Sequence, residues 1–262
     1  MEPSDEALLR AAQTGDRSAV EALLARHEKQ IYRFGLRMCG GDEETAREVL
    51  QETLLAAFRN LSGFRGDAQL STWLYQIARS FCIKERRRER PEVPLGDEER
   101  RIPTAAAGPD GVVHAREIGR ALSAAIGALP VEQREAIVLR DVEGLSAEEA
   151  ARVIGIEVGA LKSRLHRARA GLRTLLAARL GEPEPFGSPP CPELARELSA
   201  YVTDDDDQAA CAKLEAHLQS CARCAGANEA LERSVSLCRR LPGGEVPPSV
   251  RAAVRRALQS LT

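Results

Sequence analysis

Aromatic residues are scarce in this 262-residue chain: Phe, Trp and Tyr together make up 3%, with a single tryptophan. That argues against extended base-stacking platforms and aromatic carbohydrate clefts. An excess of either charge is missing too. Lys and Arg number 37 against 39 Asp and Glu, a net charge of −2, so any nucleic-acid face must come from segregated charge. No apolar run approaches the roughly 20 residues a membrane span needs. The N-terminal stretch MEPSDEALLRAAQTGD has neither the basic start nor the apolar core of an export signal. A cytoplasmic protein with no membrane partner is expected. Strand-type alternation bounded by turns is absent, and the periodicity is helical throughout; the expected fold class is all-α. No Ser/His/Asp set or phosphate loop is present and the four histidines are scattered, so no enzymatic activity is expected.

Cysteine, in contrast, is plentiful and unevenly placed. Cys39 and Cys82 stand alone, whereas Cys191, Cys211, Cys221, Cys224 and Cys238 crowd the last third. An odd total without an export signal argues for metal or thiol chemistry rather than a disulfide framework. Cys39 and Cys82 are assigned to core packing. Pro- and Gly-rich stretches at 91–111 and 181–190 read as linkers, dividing the chain into residues 1–90, 112–180 and 191–262. Ser18 with Glu21 forms a capping-box pattern, and Asp42 reads as the cap of a further helix.

In the middle piece, Ser146-Ala-Glu-Glu149 is another capping box. Gly155 gives a turn, and a helix restarts near Gly159 with Leu161, Leu165, Ala168, Leu172 and Leu175 at helical spacing. Its other faces carry Lys162, Arg164, His166, Arg167, Arg169 and Arg173, with no acid between Gly159 and Arg179. A helix, a short turn and a one-signed second helix fit a DNA major groove; the alternative is a hairpin with a solvated basic face. The sequence ALPVEQREAIVLRDVEGLSAEEAARVIGIEVGALKSRLHRARAGLRTLL resembles region 4 of extracytoplasmic-function (ECF) sigma factors, which binds the promoter −35 element. The resemblance places Ser163, His166 and Arg167 at the DNA.

The first piece carries a second, unrelated resemblance. EVLQETLLAAFRNLSGFRGDAQLSTWLYQIARSFCIKERRRER is similar to region 2 of the same family. That implies contact of Gln51, Glu52 and Leu54 with core RNA polymerase, capture of a flipped −10 base by the loop Leu61–Gly66, and a melted strand along the helix of Trp73, Tyr75, Ile77 and Arg79. Physically, an extruded base needs a surface to hold it, which Phe64, Trp73 and Tyr75 supply. Arg65, Arg79 and the cluster Lys84, Arg86, Arg87, Arg88 and Arg90 suit phosphates. Ser80 stands where most relatives have Asn, and Lys84 where they have Asp. The implied function is direction of RNA polymerase to promoters.

The third piece runs C191-x19-C211-x5-H217-x3-C221-x2-C224-x13-C238. On one helix, H-x3-C and C-x2-C would bring an imidazole and two thiolates to one face. The segment 191–224 resembles the zinc-binding anti-sigma domain, which implies Cys191 as fourth ligand beside His217, Cys221 and Cys224. Cys211 falls roughly 120° around such a helix at about 100° per residue, so Cys211 and Cys238 are expected to form a second site. The architecture resembles the CorE-like group of metal-dependent sigma factors. This implies zinc, with copper or cadmium as regulatory metal, and no requirement for a separate anti-sigma factor. A redox-sensing or structural zinc appendix remains open, as does a stand-alone helix-turn-helix repressor. The last helix, Pro247 to Leu261, is expected to pack on the thiol-rich domain or to clamp the sigma domains.

Overall fold

The computed structural model describes residues 3–89, 111–180, 191–202, 208–241 and 245–259. Residues 91–110 of the first expected linker, the whole of the second and the side chains of Arg86, Arg87, Arg88 and Arg90 lie outside the described residues, while Gly111 already belongs to a helix. The described residues hold twelve α-helices and no strand, so the fold is all-α. The chain forms two compact units, Met1–Pro94 with Gly243–Thr262, and Leu95–Pro242.

The first unit begins with α1 (Asp5–Gln13), α2 (Arg17–Met38), α3 (Glu43–Asn60) and α4 (Leu70–Glu89). The cap of α2 is Asp16 rather than the expected Ser18: its carboxylate accepts from the backbone N–H groups of Ser18 and Ala19. The Ser18 hydroxyl donates to the same oxygen, so the aspartate outcompetes the capping box. Asp42 caps α3 as expected, accepting from Glu44 N–H and the Thr45 hydroxyl. Gly40 and Gly41 make the intervening turn with φ of +69° and +90°, values that favour glycine. A Cβ on Gly35 would come within 3.4 Å of the Ala46 backbone, a measure of how closely α2 packs on α3. Leu23, Phe34, Leu50 and Leu74 are fully buried in this unit. Cys82 is buried too, with its Sγ 3.9 Å from Cys39 Sγ.

The second unit contains α5 (Gly111–Ala128) and α6 (Val131–Ile137), which runs on into a π-helical segment, Val138–Val142. The helix-turn-helix follows as α7 (Ala147–Ile154) and α8 (Val158–Leu180). Ser146 and Glu149 form the predicted reciprocal capping box, and Gly155 turns the chain at φ +79°. Leu161, Leu165, Ala168 and Leu172 are buried at helical spacing. The thiol-rich segment adds a 3₁₀ turn, Pro192–Leu194, then α9 (Ala195–Tyr201), α10 (Gln208–Ser220) and α11 (Ala222–Arg239). Its own apolar cluster is small: Leu198, Leu214 and Ala227, flanked by Tyr201, Leu218 and Leu231. Helix α9 packs on α8, and α11 on the π-helical segment.

The final helix, α12 (Pro248–Gln259), belongs to the first unit and packs on α3. The segment 191–262, expected as one domain, is therefore divided. Val250, Val254 and Leu258 recur every fourth residue and are buried, each contributing about 1.5–3 kcal/mol relative to exposure. Arg17 donates to the Leu258 carbonyl at 2.7 Å, Arg251 lies 3.7 Å from Glu28, and Lys29 pairs with Glu245. A cation at a helix C-terminus is favourably placed against the helix dipole.

Candidate nucleic-acid faces and metal centre

On α8, the apolar stripe turned into the core fixes which side chains point outward. Lys162, Ser163, Arg164 and His166 are partly exposed and Arg167 is exposed, giving a basic surface one turn into the helix. The Ser163 hydroxyl donates to the Gly159 carbonyl. Arg169 departs from expectation. Its side chain is 2% exposed and forms a bidentate pair with Asp141, at 2.9 and 2.6 Å. It also donates to the backbone carbonyl and hydroxyl of Ser199 on α9. With all three donor nitrogens engaged and water excluded, Arg169 ties the helix-turn-helix to the thiol-rich segment and does not present its guanidinium to DNA.

In the first unit, Phe64 and Trp73 lie with ring centroids 5.2 Å apart. With Ala56, Asn60, Gly63 and Ile77 they line a pocket of about 350 Å³. Such an aromatic-walled recess can hold one flat, partly apolar group. Arg65 and Ser80 are exposed and Arg79 partly so. Tyr75 is 3% exposed and packs on Phe34 at 5.3 Å, so it belongs to the core and offers no stacking surface. Partly exposed Gln51 and exposed Glu52 line a second recess with Arg47, Glu48, Phe81, Lys84 and Glu85. Leu54, expected on the same outward face, is fully buried. It lies one turn beyond the buried Leu50 and, at roughly 100° per residue, on the face opposite Glu52, so it joins the core stripe of α3.

Cys191, His217, Cys221 and Cys224 offer ligand atoms that all lie within 4.8 Å of one another. The motif is not carried on one helix. The chain breaks at Cys221: His217 lies in the last turn of α10, Cys221 is the N-cap of α11, and Cys224 sits in its first turn. Cys191 precedes the 3₁₀ turn into α9. At the start of α11 the Cys221 thiol is lowered to about 7, first by the Cys224 backbone N–H, the usual effect of a helix N-terminus on a thiolate. Burial raises the Cys224 thiol. The Cys191 N–H donates to Cys224 Sγ at 3.3 Å, and Arg223 lies 3.1 Å from Cys191 Sγ. His217 Nε2 is buried without a hydrogen-bond partner among the described residues. Three sulfurs, an unsatisfied imidazole nitrogen and this spacing suit a tetrahedral ion, whose ligand edges would be roughly 3.8 Å for metal–sulfur bonds of about 2.3 Å. The group can therefore hold a metal. Cys211 is partly exposed and Cys238 buried, and neither belongs to the four-residue group.

A helix-turn-helix with a basic outer face, in a chain that also has a helical module carrying an aromatic recess, defines a DNA-binding factor. Comparison with known proteins makes this specific. The family model for Sigma-70 region 2 matches residues 23–92, and that for Sigma-70, region 4 matches residues 119–172. The chain is 39% identical over 177 residues to the ECF RNA polymerase sigma factor SigM of Mycobacterium tuberculosis, covering 67% of this chain and 86% of that protein. It is 34% identical to SigE of Mycolicibacterium smegmatis, covering 70% and 73%. A solved structure of the sigma factor RpoE with the anti-sigma factor NepR from Bartonella quintana is 28% identical, covers 60% of this chain and 95% of that chain, and has a TM-score of 0.47. The chain belongs to the ECF RNA polymerase sigma factors, non-catalytic factors that direct RNA polymerase in transcription initiation. Membership implies RNA polymerase and promoter DNA as partners. Among the described residues no helix is long and apolar enough to cross a membrane.

Proposed function

We propose that this sigma factor is controlled by a metal bound to its own Cys191, His217, Cys221 and Cys224, with zinc the ion that best suits three thiolates and an imidazole. Copper or cadmium, as softer ions, fit the same donors and are candidates for the regulatory metal. The observation that carries the reading is the short path from the ligands to the helix-turn-helix. Cys191 opens the turn into α9, and Ser199 of α9 accepts hydrogen bonds from Arg169 of α8. A metal that draws Cys191 toward His217 and Cys224 biases α9, and through it the setting of α8. It switches activity only if it binds one arrangement more tightly than the other.

On this reading residues 1–90 form the region 2 module and 112–180 the region 4 module. Gln51 and Glu52 meet core RNA polymerase from the surface of α3. Phe64 and Trp73 hold an unstacked −10 base, with Arg65, Arg79 and Ser80 along the melted strand. Lys162, Ser163, Arg164, His166 and Arg167 meet the −35 element. Cys211 and Cys238 lie outside the four-ligand group and serve a second, softer site. The factor acts in the cytoplasm. RpoE of Bartonella quintana is described with the anti-sigma factor NepR; here the fused segment answers the metal without a separate anti-sigma factor. The reading is tested by metal analysis of the purified chain and by promoter footprinting with core polymerase. One zinc per chain, lost in Cys224→Ser, and loss of −35 protection in an Arg167→Ala, Lys162→Ala double variant are expected. A chain without bound metal, or an intact −35 footprint in that variant, would contradict it.

A further inference from the structure

Helix α3 is flanked by α2, by α4 and by α12. The first two belong to the module's own core, where Leu23, Phe34, Leu50 and Leu74 are fully buried. The third is a short amphipathic helix from the far end of the chain. It is seated by a narrow stripe, Val250, Val254 and Leu258, and by polar contacts at its rim. Those contacts are complementary in sign and run from just before the helix to its last turn: Lys29 with Glu245, Glu28 with Arg251, and Arg17 with the Leu258 carbonyl. Glu28 is partly desolvated, which raises its carboxyl, while Arg251 and Arg255 of α12 act in the opposite sense. The groove is thus matched to an apolar helix edged with arginine. Partly exposed rim pairs and three apolar anchors make a contact that can open and close.

We propose that α12 is an autoinhibitory helix that competes with core RNA polymerase for α3. The inference rests on the reading that polymerase meets α3 through Gln51 and Glu52. A helix with side chains is about 10 Å across, so one lying on α3 narrows the arc a second protein can use. When polymerase docks, α12 leaves, exposing its own Val250, Val254 and Leu258.

The test uses the full chain and measures its affinity for core RNA polymerase by fluorescence anisotropy. Val254→Glu places a charge in the buried stripe, and Arg251→Glu reverses a rim contact without touching the core. If α12 is seated in nine molecules of ten, releasing it raises apparent affinity about ten-fold, because only the competent fraction binds. A synthetic peptide of residues 245–262, added to Val254→Glu, should return the affinity toward that of the parent chain. Parent-like or weaker binding by both variants, with helical content intact by circular dichroism, would overturn the inference. Glu52→Lys in the parent chain separates the two ideas. Weakened binding there, with no gain in Val254→Glu or Arg251→Glu, removes only the α12 proposal. Unchanged binding removes polymerase docking on α3 itself.

Discussion

Residues 191–241 and 245–259 are near neighbours in the chain but are held by different forces. The first segment has an apolar cluster of only a few side chains; it carries four metal-type ligands and is tied to α8 by the buried Arg169. The second has no such chemistry: α12 is placed by an apolar stripe at four-residue spacing and by ion pairs with α2. A segment too small to bury a sufficient core needs a cross-link or an ion. One that lies on an existing helix needs only a matching face. The difference divides the appendix into two parts: a thiol-rich segment packed on the helix-turn-helix, which on the proposed reading is a sensor, and a helix laid on α3 of the first unit.

The comparison breaks most visibly if metal is removed. Structural zinc contributes about 10–16 kcal/mol of apparent binding free energy in small domains. Chelation, or Cys191→Ser with Cys224→Ser, is therefore expected to abolish amide protection in α9–α11 while leaving α12 protected. Hydrogen exchange checks this, and equal loss in both segments would erase the distinction. Next in size is Arg169→Ala, which leaves Asp141 buried and unpaired and should cost about 3–5 kcal/mol. Thermal unfolding should show that loss in the second unit, with α12 unaffected.

Smaller effects sharpen the contrast. Raising salt from about 0.1 M to about 1 M shortens the screening length from roughly 10 Å to roughly 3 Å. It should loosen α12, whose Arg251 side chain is 48% exposed, and leave metal retention unchanged. Acid acts on the other segment. The Cys221 thiolate that a metal requires persists above about pH 7 and is protonated below it, so metal affinity, read by competition with a chromogenic chelator, should fall as pH drops through that value. Ser146→Ala removes the α7 cap and should cost about 1 kcal/mol, the least of these changes.

Much of this was legible from residue order. The helix-turn-helix followed from Ser146, Glu149, Gly155 and the leucine spacing, because capping and turn chemistry are local. The four-ligand group followed from resemblance and spacing, although the chain reaches it by ending one helix at Ser220 and starting another after Cys221. The misplacements of Leu54 and Arg169 have different causes. Leu54 is placed outward by the family resemblance, although it continues the buried stripe of Leu50 and Ala57; Arg169 is placed outward with the basic faces of its helix, but its burial is decided by partners far away in sequence. Asp141 lies 28 positions before Arg169 and Ser199 lies 30 after it, and no local pattern announces such a triad. Tyr75 likewise turns inward to Phe34, leaving Phe64 and Trp73 as the open aromatic wall. The seat of α12 was visible only as an apolar stripe without an address. Arg17, Glu28 and Lys29, which supply the address, look in the sequence like ordinary surface charge.

The most direct test of metal control is run-off transcription with core RNA polymerase and this chain, first stripped of metal and then titrated with Zn²⁺, Cd²⁺, Cu²⁺ and Cu⁺. Metal control predicts a transcript whose yield changes with at least one ion, and a Cys221→Ser variant that no longer responds. A transcript of constant yield under all four, from a protein that binds metal, would contradict it and leave the ion a purely structural part.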